Sequence, residues 1–338
     1  MLSRKIYTVH EIVGLGLLIG AFLEVAGTFW DMQYHLDIGR DSFWIRPHLA
    51  IYAGVFLMLL SGIFGFILIK RLGYKNTKGL LFSLLLSSIG QFTILFAAPL
   101  DNLYHEIVGL DATVWSPPHF LLIFGGSLGI IGFIAFQRAY LHSTKMERAP
   151  GIVSDEFKLE FGAALGLIGF NILVTEFEYY RSNSFFLHNA ALGRPPELYL
   201  AIWSVLFCFM FVFFRKMATR PWAVTRIAVL FFVTRSLFSI FLHFHGPSWP
   251  ILPPLVIIPA IVFDLISLKK FGAKEAAISS VIFILVFYAV EKFWLPFTDA
   301  ARFVVSNFGQ ISETAILGAL TGILALMLSR RILLKIID

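Results

Sequence analysis

Apolar runs of about 20 residues, each long enough to cross a bilayer as a helix, recur ten times along this chain. They fall at roughly 9–30, 48–70, 78–100, 118–141, 157–178, 197–215, 222–243, 251–268, 275–294 and 312–334. Only 14% of the 338 residues are charged and 58% are hydrophobic, with a mean hydropathy of +0.81. A water-soluble domain of this length would need far more charge to cover its surface. The pattern predicts an all-α, polytopic integral membrane protein of about ten transmembrane helices. Arg4 and Lys5 precede the first run as they would in a signal peptide, but the run is too long, contains Glu24 and leads straight into a polar motif, so it reads as a retained span. The single cysteine, Cys208, lies inside an apolar run, which excludes an intramolecular disulfide and any cysteine-pair redox motif.

Basic residues set the expected topology. Twenty of the 27 Lys and Arg fall at one set of span ends, including Lys70, Arg71, Arg215, Lys216, Lys269, Lys270, Arg330 and Arg331, and six fall on the other. Both termini are therefore expected in the cytoplasm, in the cytoplasmic (cell) membrane. The net charge of +6 reports orientation and not nucleic-acid binding. The spans then pair into five hairpins whose loops face outside, toward the periplasm. Four of these loops end in proline where the returning helix starts, at Pro47, Pro117–Pro118, Pro195–Pro196 and Pro253–Pro254, positions where a missing N–H costs nothing. Residues 1–145 read as a duplicated pair of hairpins (four spans), and 146–338 as six further spans without the full motif.

The duplication is legible in two outward loops, DMQYHLDIGRDSFWIRPH at 31–48 and DNLYHEIVGLDATVWSPPH at 101–119. Asp31 and His35 share one helix face if the first helix continues a turn beyond its apolar core. His48 opens the helix that returns beside it, so two imidazoles and a carboxylate converge. Asp101, His105 and His119 repeat the set. Such a donor set suits copper, zinc or non-haem iron and leaves positions for water, oxygen or substrate. Asp41 and Asp111 are candidates to orient the histidines, and Gly39 and Gly109 to allow the turns. Glu24, seven residues before Asp31, reads as a supporting base or proton relay beneath the first site. Trp44 and Trp115 read as interfacial anchors. A plainer reading of either Asp-x3-His pair is a helix-end salt bridge; two copies of a whole triad argue for ligands. Further along, Arg235 and Asp264 are expected to form a buried pair, and Gln91, Asn171 and Glu160 to bond between helices. His243 and His245 suit a turn, and the Phe-rich run FCFMFVFF suits lipid or core and not a cofactor.

These residues resemble the C subunit of the copper membrane monooxygenases, which oxidise methane, short alkanes or ammonia. One metal site of that subunit is built from Asp-x3-His-x12-His and its neighbour from Asn-x3-His-x13-His. Asp31, His35 and His48 fit the first pattern, with Arg40–Asp41 resembling the Arg-Asp that follows. His105 and His119 fit the second, while Asp101 occupies the place of the asparagine. The likeness covers about residues 20–140; residues 150–338 lack the pattern. It implies that Asp31, His35 and His48 are copper ligands and that Asp101, His105 and His119 form the second metal site, so that one or both triads hold copper, with oxidation of a small apolar substrate or ammonia by dioxygen and assembly with other membrane subunits or a second copy within the lipid bilayer. A metal transporter or delivery protein, and a zinc-dependent membrane hydrolase, are the alternatives that the donor set leaves open.

Overall fold

The computed structural model describes residues 2–38, 43–72, 77–108, 114–143, 153–174, 178, 197–268, 271–298 and 308–337. Among these the protein is helical, with no strand. Ten α-helices follow in order: α1 (Leu2–Ile38), α2 (Arg46–Arg71), α3 (Lys78–Val108), α4 (Pro117–Ser143), α5 (Asp155–Asn171), α6 (Glu197–Met217), α7 (Ala223–His243), α8 (Ile257–Ser267), α9 (Ala273–Trp294) and α10 (Phe308–Ile337). All but α8 are long and apolar enough to cross a membrane. The protein is a polytopic helical membrane protein.

The expected span at 251–268 is helical only in its second half. Its helix, α8, has only 11 residues, about 16 Å of rise against a hydrocarbon core of about 30 Å. Pro250, Pro253 and Pro254 lack the N–H that a helix needs, and they keep the chain out of a helix until Ile257. Pro253–Pro254 therefore precede the helix without starting it, whereas Pro47 and Pro117 sit in the first turns of α2 and α4 as expected. Pro195–Pro196 lie outside the described residues.

The chain divides into two compact units, Met1–Phe170 with Arg331–Asp338, and Asn171–Arg330. In the first unit α1 packs along α2, and α3 along α4. Each pair runs antiparallel: Gly16 of α1 faces Ser61 of α2, Gly20 faces Gly54 and Met58, and Gly27 faces Pro47 and Ile51. The approach is backbone to backbone. A Cβ on Gly54 would collide with Gly20 and Glu24, and one on Gly90 of α3 with Gly125 and Gly129 of α4. Small residues at these crossings draw the helices together, which brings the end of each outgoing helix beside the start of the returning one.

In the second unit the core is aromatic. Trp203 stacks on Phe207, and Phe207 packs against Phe231, Phe283 and Phe287. The Phe-rich run is thus core, with Phe207, Phe211, Phe213 and Phe214 all buried. Arg235 and Asp264 do not pair. Arg235 Nη2 meets Glu178 at 2.6 Å, while Asp264 accepts the Thr225 backbone N–H and hydroxyl at the start of α7. A helix N-terminus offers unpaired donors to a carboxylate, and Asp264 takes that role. Asn171 bonds to both Arg235 and Glu178, so it binds helices together as expected.

Candidate metal centres

α1 runs 37 residues, about 55 Å, well past its apolar core. Asp31 and His35 therefore stand on its last helical turns, one turn apart. His48 is the third residue of α2, behind the extended N-cap Ile45. Asp101 and His105 stand likewise near the end of α3, and His119 is the third residue of α4. The structure brings each triad together, with one ligand atom per residue within 4.8 Å of the others.

In the first triad Asp31 Oδ2 lies 3.6 Å from His35 Nε2, and Oδ1 lies 3.1 Å from His48 Nε2. In the second, Asp101 Oδ2 is 3.5 Å from His105 Nε2 and Oδ1 is 3.4 Å from His119 Nε2. Two donors on a metal at about 2.1 Å with tetrahedral angles stand about 3.4 Å apart, so these spacings suit a shared ion. Oδ1 of each aspartate is buried and makes no hydrogen bond, although an imidazole nitrogen stands beside it. Asp31 and Asp101 are only 19% and 20% exposed, and in each it is the Oδ1 atom that is turned away from solvent.

The second shell decides which atoms can ligate. His48 Nδ1 is 3.2 Å from the Phe43 carbonyl. A carbonyl only accepts, so Nδ1 carries a hydrogen and Nε2 is the ring atom left to face Asp31. A proton or a metal ion between Nε2 and the carboxylate satisfies both atoms, and only a metal ion draws in His35 as well. The Tyr52 hydroxyl also donates to Phe43 O, at 3.2 Å, and Phe43, Trp44 and Tyr52 pack as an aromatic frame around it. In the second triad the Ser116 hydroxyl takes the carbonyl's place, 2.9 Å from His119 Nδ1. Ser116 stands at the N-cap position of α4; its carbonyl accepts the Phe120 N–H while its side chain turns to the ring.

Asp41, Asp111, Gly39, Gly109 and Arg40 lie outside the described residues. Glu24 joins neither triad. It is buried where α1 meets Gly54 of α2 and Gly126 of α4, about 10 Å along α1 from Asp31, and its Oε2 has no hydrogen-bond partner. Gln91 donates to Met58 Sδ, an interhelical contact as expected.

Comparison of the chain with family models, with curated proteins and with solved structures found no match. What the sites can do follows from their own donors. Two imidazoles and a carboxylate hold a divalent transition ion with three protein ligands and leave further positions open. The described residues thus contain two membrane-edge groups able to bind metal.

A third cluster escaped the sequence reading. His10, Glu11 and Asp155 also converge, but Lys158 Nζ sits between the acids, 2.6 Å from Glu11 Oε2 and 2.8 Å from Asp155 Oδ1. Lys158 is fully buried and already supplies the cation there. His10 Nε2 faces Gln137 Oε1 at 3.1 Å, and its ring stacks on Tyr140. The spacing of Lys158 from Asp155, one helical turn, is the sequence signal of that pair.

Proposed function

We propose that this protein is a copper-binding, oxygen-activating membrane metalloprotein, or the metal-carrying subunit of one, that acts on a small apolar substrate or ammonia. The observation that carries the reading is the convergence of Asp31, His35 and His48 on one point, with His48 Nε2 3.1 Å from Asp31 Oδ1, repeated at Asp101, His105 and His119. Copper is favoured because both spacings resemble those of the C subunit of the copper membrane monooxygenases. Zinc or non-haem iron would fit the same donors. Bound copper would supply dioxygen activation. Asp31, His35 and His48, and Asp101, His105 and His119, hold the ions, while the Phe43 carbonyl and Ser116 fix the ring orientations. Asp101 gives the second site a full negative charge, so the two sites carry alike formal donor charges. Glu24 lies beneath the first site as a proton source. The spans form hairpins with both termini in the cytoplasm, residues 251–268 returning along α7 from Ile251 beside Ser239 to Asp264 beside Thr225, with both triads at the outer face of the cell membrane and other membrane subunits or a second copy as partners.

The test is oxygen uptake by copper-loaded membranes given a reductant and either a short alkane or ammonia. Uptake coupled to hydroxylated product, and lost in the His35→Ala/His105→Ala double variant, supports the reading. Chelator-sensitive hydrolysis with zinc and without oxygen would replace it with a hydrolase, and cation uptake into vesicles with a transporter.

A further inference from the structure

The second unit buries two carboxylates and treats them differently. Glu178 is fully buried and receives four donors: Arg235 Nη2 at 2.6 Å, Asn171 Nδ2 at 2.9 Å, the Tyr199 hydroxyl at 3.1 Å and Trp203 Nε1 at 3.2 Å. Arg235 is equally buried; its Nε donates to Asn171 and its Nη1 to Ser239. The pair is neutral and well hydrogen-bonded, the condition under which burial of two charges is tolerated.

Glu291 of α9 is also fully buried, but it receives one donor. The Leu255 backbone N–H reaches Oε1 at 2.6 Å, and Oε2 has no partner. Arg235 neutralises Glu178, and among the described residues no cationic side chain pairs with Glu291. An ionised carboxylate with a single neutral donor, out of reach of water, is costly to bury by several kcal/mol. One added positive charge removes that cost. An alkali or alkaline-earth ion would need several oxygen ligands, whereas a proton needs only the free oxygen.

We propose that Glu291 is an intramembrane proton-binding site, holding an exchangeable proton on Oε2. The site lies at a break in the helical backbone. Residues 251–255 are non-helical and mostly buried ahead of α8, with three of their polar groups taken up by side chains: Ile251 O accepts from Ser239, Pro253 O from Trp294 Nε1, and Leu255 N donates to Glu291 itself. Non-helical backbone at membrane depth is a mark of functional sites. The groups facing Glu291 are few. Tyr199 of α6 donates to Glu178 and lies within electrostatic reach of Glu291. From α10 the polar neighbour at this level is Thr314, bonded to Tyr288 of α9, while Glu313 faces outward. Asp264 of α8 is engaged with Thr225. This inference does not depend on the metal reading of the first unit.

The experiment is an infrared difference spectrum of the purified full chain in detergent, wild type minus Glu291→Gln, at neutral pH with and without sodium. Glutamine keeps an oxygen for Leu255 N–H. The expected result is loss of one protonated-carboxyl C=O band, shifted by deuterium oxide and indifferent to sodium. If Glu291→Gln does not fold, Glu291→Asp is expected to move that band without abolishing it. Loss of a carboxylate band pair instead, or conversion of the acid band to carboxylate on adding sodium, would overturn the proposal.

Discussion

The two triads share residues and spacing yet differ in what holds the third ligand. His48 is oriented by a backbone carbonyl, which leaves one tautomer and one ligand atom. His119 is oriented by a serine hydroxyl, which can donate or accept, so either ring nitrogen can carry the hydrogen. The first site is the more constrained, and its Asp31–His48 separation of 3.1 Å is the shortest of the four. The two sites share their ligands but not the frame around them. The lesson is that two sites of equal composition can differ in preorganisation, and a metal should fill the better-fixed one first.

The largest expected effect tests whether the triads are ligand sets at all or merely neutralised ion clusters like Glu178–Arg235. Glu178→Ala strands a buried guanidinium and should cost about 3–5 kcal/mol of stability, read as a collapse of the melting transition in detergent. His35→Ala/His48→Ala should leave the melting of metal-free protein within about 1 kcal/mol, because its partners are partly exposed. Comparable losses in the two variants would make the first triad structural.

Next in size is ligand loss. Removing both histidines of one triad should weaken metal binding at that site by more than about 100-fold and leave the other occupied, measured by titration with competing chelators. Equal loss at both sites would mean that the triads form one centre. Ser116→Ala should then weaken only the second site, by about 10-fold; an effect on the first site would contradict the assignment of Ser116 to His119. Asp101→Asn exchanges an anionic donor for a neutral one, and should also weaken the second site while its fold persists. The smallest effect is expected for Tyr52→Phe, which removes one of two donors to the Phe43 carbonyl and leaves His48 bonded; metal affinity at the first site should change by no more than about threefold.

Much of this was legible in the chain. Nine of the ten described helices follow from apolar runs of membrane length, and the triads from aspartate and histidine at helical spacing before a returning helix. What was missed is tertiary or belongs to the backbone. Phe43 orients His48 through its carbonyl, an atom that every residue type possesses, so no side-chain pattern could mark it. Arg235 chose Glu178 over Asp264 because Asp264 lies within reach of the open start of α7, a fact of packing. Ser116 was the readable omission: a serine directly before two prolines at a helix start is a capping position, three residues from His119. The short α8 was also readable, since three prolines within five residues preclude a helix over that stretch.

The most direct test of the central claim is copper content with electron paramagnetic resonance on the purified protein, comparing wild type with His48→Ala and His119→Ala. The account predicts bound copper with a nitrogen-ligand signature in the wild type, a diminished signal in each variant, and the larger loss from His48→Ala at limiting copper. Wild-type protein that takes up no copper, or variants that bind it as fully as the wild type, would contradict it.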